Sequence, residues 1–233
     1  MEKIITYEFN GRQVTVIVPE KPNGKWIWKT EFLYAFDQAE VELLKMGYTR
    51  VYYNLNDMYG DYRAVRQMHN FYLHVIKEFN LDKKCILFGF SRGGLYAFNY
   101  TLSHPDTVDK VYLDAPVLDL TTWPKKAEEG TEMRRCYDQM LERYNFTDQT
   151  VKTFTDMPIN NLSEFFSHKI PLLIVAGDSD QVVDFTLNSK KVIDYCKVNN
   201  VPLKYIVKNG CKHHPHSLED VTPIIDFVCG KGE

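Results

Sequence analysis

The chain has no apolar run approaching the roughly 18–20 residues that a membrane span needs, so no segment reads as transmembrane. It has no excess of either charge: 28 Lys and Arg against 31 Asp and Glu leave a formal net charge of −3. That balance removes the electrostatic reason to expect nucleic acid or an anionic membrane as a partner. Basic residues cluster only in short pairs such as Lys83-Lys84 and Lys125-Lys126. The first residues, MEKIITYEFNGRQVTVIVP, alternate like a strand and lack the basic-then-apolar layout of a signal peptide. The five cysteines, Cys85, Cys136, Cys196, Cys211 and Cys229, are odd in number and irregularly spaced. A disulfide framework is therefore not expected, and reduced thiols fit a cytoplasmic setting. Internal repeats and low-complexity tracts are also missing.

What remains is 233 residues, 44% hydrophobic and 14% aromatic, enough to bury one full core. Alternation predicts strands near Ile4–Phe9 and Gln13–Val18, joined as a hairpin by the turn NGR. WIWK reads as a short buried strand, and Ala35–Met46 as a helix ending at Gly47. RVYYNL is the next strand, Tyr62–Phe79 a long helix, Lys84–Phe90 a strand, Gly93–Leu102 a helix and Val111–Leu113 a strand. IPLLIVAG is apolar throughout, as expected of a strand buried on both faces. A helix near Leu187–Val198, the strand LKYIV and a helix near Pro223–Val228 complete the chain. Strands alternating with helices predict an α/β fold, a mostly parallel sheet with helices on both faces. The interval of about 119–168 is far longer than the dozen or so residues of one crossover. It reads as a small helical lid inserted in a single domain spanning 1–233.

The chemistry centres on LFGFSRGGLYAF. Gly89-Phe90-Ser91-Arg92-Gly93 is a G-x-S-x-G turn with an apolar strand before it and a helix after it, the setting that presents a nucleophilic serine above a sheet edge. A serine needs a base, and the base an orienting acid, here in the chain order Ser, acid, His. The loop DSDQVV offers Asp178, Asp180 and the later Asp184; Asp180 is preferred, with Asp178 shaping the turn. Asp114, at the end of another strand, is a further possible acid. NGCKHHPHSLED offers His213, His214 and His216. His213 is the candidate base, while His214 and His216 are expected to stiffen the loop by hydrogen bonding. Cys211 beside these histidines invites a zinc reading. Adjacent side chains in one short loop seldom converge on an ion, however, and neither metal nor cofactor is expected.

The backbone amides of Arg92 and Lys29 are the expected oxyanion donors, since there is no H-G-G-G run after the third strand. The Arg92 side chain reads equally as a substrate contact or a salt-bridge partner. Glu31 reads as a helix N-terminal charge. Trp28, Tyr59 and Trp123 are candidate pocket walls, with Tyr137 and Tyr144 from the lid.

With these motifs in place the sequence resembles the α/β-hydrolases, and more narrowly a group of small bacterial esterases. The matching segments are Trp26–Phe32, Asp57–Gly60, Gly89–Gly94, Asp114–Val117, Gly177–Asp180 and Gly210–Leu218. Lys29 stands where that group tends to have Arg, and Lys212 where it has Gly. The resemblance implies Ser91 as nucleophile, Asp180 as acid and His213 as base. Residues and resemblance together predict a serine hydrolase cleaving a carboxylic ester of a small molecule, an acylated carbohydrate being one such substrate. Amide or peptide hydrolysis by the same three residues, or a catalytically silent fold used for binding, are the alternatives.

Overall fold

The computed structural model describes residues 2–231. Eight strands form one sheet: β1 (Lys3–Phe9), β2 (Arg12–Val18), β3 (Trp26–Lys29), β4 (Thr49–Tyr53), β5 (Cys85–Phe90), β6 (Val108–Asp114), β7 (Leu172–Gly177) and β8 (Lys204–Lys208). Their spatial order is β1-β2-β4-β3-β5-β6-β7-β8. The β1–β2 and β2–β4 pairs are antiparallel and all later pairs parallel; the hairpin and the mostly parallel sheet are as expected from the sequence. Strands β5 and β7 are buried along their whole length. Parallel strands covered on both faces require such unbroken apolar runs.

The described residues form seven α-helices: α1 (Gln38–Lys45), α2 (Tyr62–Glu78), α3 (Gly93–Ser103), α4 (Glu132–Tyr144), α5 (Leu162–Ser167), α6 (Ser189–Asn199) and α7 (Thr222–Cys229). The larger core takes in side chains of α2, α3, α4, α5 and α6, and the smaller one those of α1 and α7. Helix α2 buries Ala64, Met68, Phe71, Tyr72 and Val75, a stripe at helical spacing. Its N-cap, Asp61, accepts the Ala64 N–H at 2.7 Å. Helix α1 starts three residues later than its apolar spacing predicts, because Phe36 takes a left-handed φ of 50° that no helix continues through.

The segment between β6 and β7 carries α4 and α5. Helix α4 turns Cys136, Tyr137 and Met140 inward and is tied to the body at its end. Arg143 Nε lies 2.8 Å from Asp61 Oδ2, and the Tyr144 hydroxyl donates to the Tyr59 carbonyl at 3.0 Å. Among the described residues no helix is long and apolar enough to cross a membrane.

Where α2 meets the end of α3, the His69 and His104 rings stack with centroids 3.8 Å apart. Desolvation lowers the pKa of both, and His104 is lowered further by His69. The folded state thus takes up protons less readily than the unfolded chain, and stability rises with pH across this window. Stability should fall as the pH drops from about 6.5 through the depressed folded values. Urea titrations of His69→Gln should show a flatter pH dependence than wild type; an unchanged slope would discount the pair.

Candidate active site

Four strands of the sheet deliver the chemistry to one edge, each at its carboxyl end, where open α/β sheets bind ligands. Strand β5 runs directly into Ser91, whose φ of 49° is left-handed. A non-glycine residue there is strained and needs its surroundings to hold it. Ser91 N–H donates to the Asp114 carbonyl at 2.8 Å, while the Ser91 carbonyl accepts from Gly94 N–H at 3.0 Å and Val117 N–H at 2.9 Å. The flanking glycines are a matter of space. A Cβ on Gly89 would lie 2.9 Å from the Gly93 carbonyl oxygen, and one on Gly94 2.6 Å from Pro116 Cβ. The side chain so presented is 7% exposed.

Ser91 Oγ lies 3.0 Å from His213 Nε2, and His213 Nδ1 lies 2.7 Å from Asp180 Oδ2. A carboxylate only accepts, so Nδ1 carries the proton and Nε2 offers its lone pair to the serine O–H. Asp180 is held in turn by the Val182 and Val183 N–H groups, which donate to its Oδ1 at 2.9 and 3.0 Å. The other acids of that loop are occupied elsewhere. Asp178 accepts from Gly210 N–H at 2.7 Å and shapes the turn. Asp184 accepts from Thr186 and Leu187, and the Thr186 hydroxyl in particular keeps its carboxyl below the usual range. The chain Asp180–His213–Ser91 can pass the serine proton to Nε2 as Oγ attacks an electrophile.

The histidine loop is seated on Gly177. A Cβ there would lie 2.2 Å from the Cys211 carbonyl oxygen and 2.6 Å from that of Lys212. Gly177→Ala should therefore push the loop off its seat and misplace His213. A displacement near 1 Å costs about 10²-fold in rate, expected in kcat on an aryl ester; near wild-type kcat would show that the loop does not rest there. Lys212 needs no glycine, because left-handed backbone in this loop falls on Gly210 and Ser217.

A second acid–imidazole pair lies beside the first and was not foreseen as a pair. Asp114 is fully buried and accepts from Tyr112 Oη at 2.6 Å, His216 Nδ1 at 2.8 Å and Ser217 N–H at 2.8 Å. With its carboxylate turned to His216, it does not touch His213 in the way Asp180 does. Its position at a strand's carboxyl end was the available signal. Not legible in the sequence is the approach of the three histidine rings to one another, at centroid spacings of 4.8 Å.

Other expectations need correction. Lys29 lies within β3, paired with Tyr52 on one side and Phe88 on the other. Thr30 N–H bonds the Phe88 carbonyl at 3.0 Å, so by the alternation of a strand the Lys29 amide faces β4, away from Ser91. The first amides past the ladder are those of Glu31 and Phe32; Phe32 has a left-handed φ of 57°. Glu31 is no helix-terminal charge. It is buried and takes both Arg92 Nε (3.1 Å) and Arg92 Nη2 (3.3 Å). Burial pushes the Glu31 carboxyl up, opposed by Arg92. The Arg92 side chain thus spends its charge on a salt bridge, with its guanidinium 5.5 Å from the ring centroids of both Phe32 and Tyr59. Trp28 is core, stacked on Trp26 and edge-on to Phe71 and Tyr100. Tyr59 and Trp123 sit together with centroids 6.3 Å apart, and Tyr59 Oη donates to Gln139 of α4 at 3.0 Å.

The sequence profile of the prolyl oligopeptidase family matches residues 45–229. A search of curated proteins found no match. Among solved structures, S-formylglutathione hydrolase FrmB from Staphylococcus aureus is 17% identical with a TM-score of 0.64, covering 98% of this chain and 95% of its own. FphF, a fluorophosphonate-binding serine hydrolase of the same organism, is also 17% identical with a TM-score of 0.65 and the same coverages. A puromycin-hydrolysing peptidase of Mycobacterium tuberculosis is 12% identical with a TM-score of 0.71; 96% of this chain is covered, but the chain spans 37% of that protein. At these identities the structural likeness speaks for the fold, while the profile match over most of the sequence speaks for descent. The chain belongs to the prolyl oligopeptidase family, within the α/β-hydrolases.

Proposed function

We propose that the protein hydrolyses a carboxylic ester of a small substrate, with Ser91 as nucleophile, His213 as general base and Asp180 as the acid that fixes the imidazole. The observation that carries this reading is the continuous chain of contacts from Asp180 through His213 to Ser91, at 2.7 and 3.0 Å. Ser91 attacks the carbonyl carbon and its proton passes to Nε2. The oxyanion is held by the Arg92 amide, at the positive end of α3, and by an amide of the Glu31–Phe32 turn. Collapse of the tetrahedral intermediate expels the alcohol, which takes the proton from His213 and leaves an acyl-enzyme. His213 then activates water to release the acid.

The insertion around 119–168 acts as a lid in this reading. Trp123, Gln139 and Tyr144 of the lid close on Tyr59, and Lys125 Nζ reaches the Gln181 carbonyl next to Asp180 at 3.2 Å. Ser91 and His213 are each 7% exposed, which favours a compact substrate over an extended peptide. An acylated carbohydrate is less well supported, because the aromatic rings expected to stack on a sugar are largely turned inward.

Amide hydrolysis is the second reading, favoured by the family match and by the peptidase among the similar structures. The two are separated by assaying matched acyl p-nitrophenyl esters, acyl p-nitroanilides, acetylated oligosaccharides and aminoacyl amides on one preparation. Ester turnover exceeding amide turnover by more than the intrinsic reactivity difference supports the ester reading. Preferential cleavage of aminoacyl amides would replace it.

A further inference from the structure

His213, His214 and His216 each offer a ligating atom within 4.8 Å of the others. Two of them are already in the state a metal ion requires. His213 gives its Nδ1–H to Asp180 and His216 gives its own to Asp114, at 2.7 and 2.8 Å, and both carboxylates are buried. A metal-bound imidazole characteristically hands its second N–H to a carboxylate, which fixes the tautomer and makes the remaining nitrogen more basic. In both residues the lone pair is thereby left on Nε2. His214 is exposed and stacks on Phe36 with centroids 5.7 Å apart.

We propose that His213, His214 and His216 bind a divalent transition-metal ion of the zinc class, and that binding silences Ser91. Nitrogens about 2.0–2.1 Å from a tetrahedral ion lie about 3.4 Å from one another, so the cluster closes by roughly 1 Å or a little more from its present spread. His214 is the one exposed member of the three. The two buried carboxylates behind the imidazoles offset the double positive charge of the ion. Silencing follows from competition for one lone pair: the His213 Nε2 electrons that receive the serine proton are donated to the metal instead. All three ligands are neutral imidazoles, a set suited to zinc, copper and nickel and unsuited to magnesium or calcium.

The silencing half rests on the hydrolase reading, whereas the binding half does not, so the test has two arms. Isothermal titration calorimetry with zinc chloride reads binding directly; fluorophosphonate labelling of Ser91 across the same titration reads the state of the serine. The comparison uses wild type, His214→Ala, and Cys211→Ser, because Cys211 Sγ lies 3.9 Å from the His214 carbonyl and is a rival ligand. Wild type should bind one zinc ion per chain, lose labelling as it fills and regain it with EDTA, and be indifferent to magnesium. His214→Ala should label normally without metal and need at least about tenfold more zinc for the same loss; Cys211→Ser should follow wild type. Absence of calorimetric binding, equal sensitivity of His214→Ala and wild type, or loss of the effect in Cys211→Ser would each overturn the site. Failure of metal-free wild type to label would count against the hydrolase reading, leaving calorimetry to decide the metal site.

Discussion

Ser91→Ala should lower kcat on an activated ester by about a millionfold, with KM nearly unchanged. In the proposed mechanism Oγ is the atom that bonds to the carbonyl carbon, and it is the hydroxyl that His213 Nε2 contacts, at 3.0 Å. What survives is the rate given by the oxyanion donors and by binding, about 10³–10⁴ over water. His213→Ala should cost as much, and the double variant hardly more, because nucleophile and base act as one unit. Asp180→Asn should cost about 10⁴: an amide in place of the carboxylate presents N–H toward Nδ1 and favours the tautomer that carries its proton on Nε2. Single-turnover kinetics with each variant, beside circular dichroism to establish folding, gives the comparison. Retention of more than about one per cent of kcat by folded Ser91→Ala would remove Ser91 from the mechanism.

Lys29→Ala should destabilise the fold by about 3–5 kcal/mol, the cost of leaving a buried charge without its partner. Lys29 Nζ lies 2.6 Å from Glu40 Oε1 with both side chains at most 2% exposed. It also donates to the Ala35 carbonyl at 2.7 Å and sits 4.0 Å from the centre of the Phe90 ring. Burial pulls the Lys29 pKa down and pushes that of Glu40 up, each opposed by the other's charge. Alanine removes the opposing charge and leaves Glu40 to be buried alone or protonated. Lys29→Met with Glu40→Leu removes both charges and should lie between neutral and a few kcal/mol more stable. Urea midpoints of the single and double variants decide the matter; a loss below about 1 kcal/mol in Lys29→Ala would mean the pair is effectively solvated.

These two sites also mark where sequence reading succeeds and where it stops. The serine turn was legible because its constraints are local: a strand, a strained residue and small neighbours must occur consecutively. The contacts of Asp180 and His213 with one another and with Ser91 were legible through chain order and through their place just beyond apolar strands. Lys29 was misread because the register of β3 decides which way its amide points, and register is set by β4 and β5 rather than by WIWK. Trp28 failed as a pocket wall for a related reason, since the face of a strand that meets α2 and α3 is fixed only when the layers assemble. The Glu31–Arg92 and Asp114–His216 pairs join residues 61 and 102 positions apart. No local pattern encodes such pairings.

Asp114 has a consequence for how the two halves of the site stay in alignment. Its carbonyl holds the Ser91 amide while its carboxylate holds His216 and Ser217. Ser91 and the loop that carries His213, residues 122 positions apart in the chain, are therefore both tied to one residue at the tip of β6. A shift of that tip would move the anchor of the serine turn and the anchor of the histidine loop by the same vector, which is a common-mode displacement rather than a change in their separation.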